Sequence, residues 1–168
     1  MINKAIILAG GTGTRLKPIT LTTNKQLLPI YDKPLIYYPL SSLMLAGIRN
    51  ILIIVNKGLV QSFKKILSDG SHLGIKILYK EQSKPTGIPD AFTIGEKFIK
   101  SDNIALILGD NFFFGTGFTG LLEKAKSMKS GCYIFLKDVK NPKNYGVAVI
   151  KNKKVFKIVE KPKKFISD

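Results

Sequence analysis

The chain has 168 residues, room for one domain with a buried core, and 45% of them are apolar, which excludes a disordered chain. No apolar run approaches the ~20 residues of a membrane span, the N-terminus does not read as a signal peptide, and the single cysteine, Cys132, excludes an internal disulfide and points to the cytoplasm. The formal charge of +16 rests on Lys at every basic position except Arg15 and Arg49, which reads as a solvated lysine surface and not as an Arg-based nucleic-acid reader.

Apolar runs and helical spacings alternate along the chain, the pattern of an α/β domain. Residues 5–8 make a short run rich in β-branched side chains, the first expected strand, and a glycine-rich turn follows. Helical spacing predicts a helix over 37–46 stopped by Gly47, and an unbroken apolar run predicts a buried strand over 51–55. An amphipathic helix over 60–67 ends at Asp69 and Gly70, and residues 75–79 are the third strand. His72, the only histidine, falls in a polar turn and reads as structural or exposed. Pro85, Thr86 and Gly87 form a turn, after which Pro89 opens a helix reaching residue 99. Residues 104–108 give the fourth strand, a helix covers 121–128, and strands cover 133–136, 145–150 and 155–159. The expected fold is α/β, a Rossmann-like mixed and mostly parallel sheet flanked by helices, in a single domain over residues 1–168.

Ligands of open α/β sheets bind at the carboxyl ends of the strands. Three features fall there: the glycine turn after the first strand, Glu81 and Gln82 after the third, and Asp110 after the fourth. In LAGGTGTRLKP, residues 8–18, Gly10, Gly11 and Gly13 let backbone N–H groups approach an anion, and Arg15 offers a planar cation for phosphate oxygens. The plain alternative is a βα turn that holds nothing. Neither the P-loop pattern, which needs Gly-Lys-Ser or Gly-Lys-Thr, nor G-x-G-x-x-G, which meets Leu16 at its last Gly, fits these letters. Pro18 argues against a long helix directly after the turn. Asp110 reads either as a Mg²⁺ ligand facing a phosphate cradle or as an ordinary strand-end turn residue. Gln82, with a donor and an acceptor, and Gly87, with an open backbone N–H, suit the carbonyl–imide–carbonyl edge of thymine or uracil, or else simply line a polar loop.

The letters run on as LAGGTGTRLKPIT over 8–20 and KQLLPIYDKPLIYYPLSSLMLAGIR over 25–49. This closely resembles the sugar-1-phosphate nucleotidylyltransferases, with their G-G-x-G-[ST]-R-L-x-P-x-T signature and a Lys about ten residues beyond the Arg, and the thymidylyltransferase branch in particular. The resemblance continues to Pro162. It implies nucleotide binding by Leu8, Gly10, Gly11, Gly13, Thr14, Arg15, Gln26, Gln82, Pro85, Gly87 and Asp110, with Asp110 holding Mg²⁺. It implies catalytic charges at Arg15, Lys25 and Lys161, and sugar-phosphate contacts from Tyr145, Gly146, Glu160 and Lys161. Asp90 stands where many such proteins have Gln.

The reaction implied is Mg²⁺-dependent transfer of a nucleotidyl group from dTTP to glucose 1-phosphate, giving dTDP-glucose and pyrophosphate, with UTP as the other candidate donor. The attacking phosphate oxygen is already an anion, so no general base is required, and positioning plus charge stabilisation would carry catalysis. Members of the resembled family extend well past the E-K-P motif, found here at residues 160–162, supply a second acidic metal ligand there, and form homo-oligomers such as tetramers. On this resemblance the chain is C-terminally truncated: a nucleotide-binding part with the start of a sugar-binding part at about 130–168. The rival expectation is a nucleotide-binding fragment without turnover of its own.

Overall fold

The computed structural model describes all residues except Met1, Thr12, Lys153, Phe165, Ser167 and Asp168. It contains two compact units, residues 1–131 and 132–168. The first comprises β1 (Lys4–Ala9), β2 (Pro29–Ile30), β3 (Lys33–Pro34), α1 (Tyr37–Leu45), β4 (Asn50–Asn56), α2 (Val60–Leu67), β5 (Lys76–Gln82), α3 (Asp90–Ile99), β6 (Ile104–Leu108) and α4 (Phe118–Lys126). Four of these strands form a sheet in the order β5-β4-β1-β6, every pair parallel. Among the described residues, antiparallel pairing is confined to two ribbons, β2-β3 here and one in the second unit.

Strands covered on both faces must be apolar throughout, and β1 and β4 are the unbroken runs of the sequence. Their side chains alternate between two layers. Ala5, Ile7, Ala9, Ile51, Ile53 and Val55 pack with Leu40 and Leu43 of α1 and Phe63 and Leu67 of α2. Ile6, Leu52 and Ile54 pack on the other side with Ala91, Ile94 and Phe98 of α3. Full burial of Phe63 alone contributes on the order of 1.5–3 kcal/mol. Gly95 lets α3 press against the sheet: a Cβ there would lie 2.7 Å from Ile6 Cδ1.

Several boundaries differ from the pattern-based ones. β5 continues to Gln82 because its ladder with β4 runs on through Val55–Glu81 and Asn56–Gln82, with Lys80 and Glu81 exposed and Gln82 buried. Glu81 and Gln82 are thus its last residues and do not follow it. On the same strand, the Tyr79 hydroxyl donates to Ser68 O at 2.7 Å, and burial, with Asp69 and Tyr37 adding to it, pushes its phenol up to about 12. α4 starts at Phe118, where stacking on Phe113 with ring centroids 5.2 Å apart anchors its first turn. The ribbon β2-β3 was not among the expected elements, since each of its strands is far shorter than the runs that signal one.

In the second unit, the strand expected over 133–136 is absent. Tyr133, Ile134, Phe135 and Leu136 have the propensity for one, but they lie in no regular strand and all four side chains are exposed. Strand propensity reflects how well side chains pack on a half-buried surface, and without that burial it does not make a strand. The regular part of this unit is the antiparallel hairpin β7 (Gly146–Lys151) and β8 (Lys154–Glu160), preceded by a 3₁₀ turn at Pro142–Asn144.

After β1, the chain adds β4 and then β5 on one side, and then crosses by α3 to place β6 on the other side of β1. The strand order therefore reverses beside β1, and the crevice at such a switch point is where open α/β sheets hold ligands. Among the described residues no helix is long and apolar enough to cross a membrane.

Candidate functional site

The glycine turn leaves β1 at its carboxyl end, on the switch point. Gly11 and Gly13 have φ of 109° and 58°, backbone states that cost a non-glycine residue strain. A Cβ on Gly11 would meet nothing within 4 Å, so the backbone here faces open space that an anion can enter. Gly13 O accepts from Thr20 Oγ1 at 2.9 Å and from Leu16 N at 2.9 Å, which ties the turn back on itself. Two short 3₁₀ turns, Thr14–Leu16 and Ile19–Leu21, take the place of a helix, as Pro18 dictates. Thr14 and Arg15 are exposed, and no ion pair to Arg15 is found among the described residues. Leu8 keeps its place in the sheet, its carbonyl accepting from Gly109 N at 2.9 Å. Thr12, inside the motif, lies outside the described residues.

Beneath the turn lies a layer of amides. Gln82 and Gln26 are both buried, at 4% and 3% exposure. A Cβ on Gly10 would overlap the Gln82 amide nitrogen, so the glycine makes the room that Gln82 fills. Gln82 Nε2 donates to Asn56 Oδ1 at 2.9 Å. Asn56 in turn grips Gly11 twice: Oδ1 accepts from Gly11 N at 3.3 Å, and Nδ2 donates to Gly11 O at 3.0 Å. Gln26 Nε2 reaches Gly10 O at 3.4 Å, while its Oε1 is buried without a partner among the described residues. A buried, unpartnered acceptor beside a glycine turn is a position where a ligand donor restores a lost hydrogen bond. Sequence reasoning missed Asn56, although a polar residue closing the apolar run of β4 was the available signal.

On the β6 side, Lys25 Nζ pairs with Asp110 Oδ2 at 2.7 Å, each side chain about one-third exposed. Lys25 is delivered by a 3₁₀ turn, Lys25–Leu27, capped by Asn24, whose Oδ1 accepts from Gln26 N at 3.0 Å. Gly109 allows that turn to close in, since a Cβ there would stand 3.0 Å from both Ala9 and Gln26 Cγ. Among the described residues no group of three or more His, Cys, Asp or Glu side chains could cage a metal. One carboxylate with an oxygen not used by Lys25 does fit Mg²⁺ that keeps waters and substrate phosphates as its other ligands.

Pro85 and Gly87 lie on the exposed loop before α3, with no hydrogen bond among the described residues to the turn or the amide layer. Asp90 acts locally, its Oδ2 accepting from Thr86 Oγ1 at 2.6 Å and its charge suiting the first turn of α3. Within the second unit, Tyr145, Gly146, Glu160 and Lys161 meet at one end of the hairpin. Gly146 pairs with Glu160, Lys161 N donates to Tyr145 O at 2.9 Å, and a Cβ on Gly146 would sit 3.2 Å from Glu160 Oε2. The Lys161–Glu160 ion pair, at 3.8 Å and well exposed, adds little stability and leaves both heads accessible.

A parallel sheet whose switch point gathers an open glycine turn and opposed charges belongs to the class of phosphate-handling α/β proteins. The chain belongs to the nucleotidyl transferase family, which it matches over residues 4–167. It is 53% identical over 166 residues to glucose-1-phosphate thymidylyltransferase from Neisseria meningitidis, covering 98% of this chain and 58% of that protein. A Bacillus anthracis structure assigned as a glucose-1-phosphate thymidylyltransferase, solved with sucrose, superposes with a TM-score of 0.88 at 40% identity, covering 96% of this chain and 65% of that one. The inositol-1-phosphate CTP transferase of T. maritima gives a TM-score of 0.78 at 25% identity, covering 98% of this chain and 66% of that one. The chain thus spans a little over half the length of the curated thymidylyltransferase it matches at 53% identity.

Proposed function

We propose that this chain carries the nucleotide site of a glucose-1-phosphate thymidylyltransferase, transferring a nucleotidyl group from dTTP to glucose 1-phosphate. The observation that carries this reading is the meeting of the open glycine turn and the Lys25–Asp110 pair at the β1/β6 switch point. Similarity to proteins named for that activity supports the choice of substrates. Arg15, exposed and without an ion-pair partner among the described residues, clamps triphosphate oxygens against the Gly11 backbone. Lys25 neutralises charge near the reacting phosphorus. A glucose 1-phosphate oxygen attacks the α-phosphorus in line; that O–P bond forms as the bond to the bridging oxygen breaks, and its electron pair leaves with pyrophosphate. Mg²⁺, when bound with the triphosphate at Asp110, supplies further charge neutralisation.

Residues 1–131 are read as the nucleotide-binding part, and the hairpin end with Tyr145, Gly146, Glu160 and Lys161 as the start of the sugar-phosphate part. The cytoplasm, with its small anionic substrates, is the proposed setting, and a homo-oligomer the proposed assembly. That no cluster of three or more His, Cys, Asp or Glu among the described residues could cage a metal favours a second reading, in which this chain binds nucleotide without turning it over. Calorimetric titration with dTTP, UTP, ATP and GTP in Mg²⁺ tests the site: the pyrimidine triphosphates bind more tightly, and equal affinities or a purine preference removes the base-reading assignment. Pyrophosphate release from dTTP and glucose 1-phosphate, on chain of confirmed mass, separates the two readings. Turnover on the order of 1–10³ per second establishes transfer, and binding without release establishes the second reading.

A further inference from the structure

We propose that Asn56 sets base selectivity at one remove, as a positioning residue that decides which atom of Gln82 is offered to the ligand. This rests on the reading of Gln82 as the base-recognising side chain. The Gly11 backbone cannot exchange roles: its N–H can only donate and its carbonyl can only accept. Asn56 meets both, with Oδ1 toward Gly11 N at 3.3 Å and Nδ2 toward Gly11 O at 3.0 Å. Turning the Asn56 amide over would set donor against donor and acceptor against acceptor, so its orientation is fixed. The same Oδ1 faces Gln82, and the only group Gln82 can present to an acceptor is Nε2, at 2.9 Å. Gly10, having no Cβ, leaves the space this nitrogen occupies.

Gln82 Oε1 is what remains, and no described residue donates to it. Backbone polarity at the phosphate turn is thereby passed through two side-chain amides to a single acceptor. That acceptor suits a base presenting an imide N–H, as thymine and uracil do. Cytosine carries an unprotonated ring nitrogen at the same place, which would leave acceptor facing acceptor, a mismatch that costs far more than a lost contact. Asn56 touches neither base nor phosphate in this scheme.

The test measures dissociation constants of dTTP and dCTP with Mg²⁺ for the 168-residue chain and its variants, alongside thermal melts. The unaltered chain binds dTTP at least about tenfold more tightly than dCTP, and Asn56→Ala brings the two to within about threefold by freeing the Gln82 amide to turn. Asn56→Asp keeps an acceptor toward Gln82, so the ratio is retained while both affinities fall together. Should Asn56→Ala lose its cooperative melt, Asn56→Ser takes its place: a hydroxyl serves either amide orientation, so the ratio collapses likewise. A ratio unchanged in Asn56→Ala or Asn56→Ser, or lost as fully in Asn56→Asp, overturns the inference. If Gln82→Ala abolishes discrimination while Asn56→Ala preserves it, only the role of Asn56 falls. If the unaltered chain does not discriminate, the base-reading role of Gln82 falls with it.

Discussion

Replacing Gly95 by Ala sets two effects of known size against each other. Gly95 lies in the middle of α3, where helix propensity favours Ala over Gly by about 0.8–1.0 kcal/mol. Against this, the new Cβ would stand 2.7 Å from Ile6 Cδ1 and 3.4 Å from Leu52 Cδ2 and Ile99 Cδ1. Ile6 is wholly buried and Leu52 almost so, and neither methyl can swing into solvent. Overpacking of this kind costs about 1–3 kcal/mol. The steric effect wins, and Gly95→Ala lowers stability by about 1 kcal/mol net. Urea unfolding reads this as a lower midpoint at unchanged slope. Ile6→Val deletes the Cδ1 in question and alone costs about 0.5–1.5 kcal/mol. In the double variant the two changes offset each other, with a coupling of at least about 0.5 kcal/mol. A Gly95→Ala chain as stable as the original, or strictly additive behaviour, refutes the idea that α3 sits at contact distance because this position has no side chain.

Arg15→Ala weakens triphosphate binding by more than about 1.5 kcal/mol, the lower range for hydrogen bonds to charged groups, whereas the exposed Lys129→Ala changes it little; equal losses in calorimetry would mean generic attraction to a basic surface. Tyr79 favours its neutral phenol in the folded chain, so the stability tied to it is held below pH 10 and lost as pH rises toward about 12. Ultraviolet titration of the folded chain shows a late step at about pH 12 that Tyr79→Phe removes, and a late step surviving that substitution assigns it elsewhere.

The sheet was legible because burial on both faces writes itself into β1 and β4 as unbroken Ile, Leu and Val, and because β6 repeats the pattern. The helix over 37–46 and its stop at Gly47 follow the same logic, and α1 ends at Leu45 with Gly47 N donating to Met44 O. The first-unit residues named from the motif do gather at one end of the sheet, apart from Pro85 and Gly87 on their outer loop. What stayed hidden depends on partners remote in sequence. Nothing near residues 133–136 tells whether another strand will lie alongside. Nothing in the letters around Asn56 shows that it will hold Gly11, which lies 45 residues away. The burial of Gln26 and Gln82 likewise arises from the closeness of Gly109 and Gly10, which sequence spacing alone does not report.

The central place of β1 has a temporal consequence. Its register joins Lys4 to Asn50 on one side and to Ile104 on the other, so its second partner is made about one hundred residues after it. At a synthesis rate of roughly 5–20 residues per second, the first strand waits on the order of 5–20 s before both of its edges can be filled. For that interval an Ile- and Leu-rich segment with free backbone donors and acceptors is exposed on the nascent chain, open to chaperones or a neighbouring ribosome's product. Efficient production of this protein therefore depends on how those seconds are spent, and slowing translation before residue 104 lengthens them.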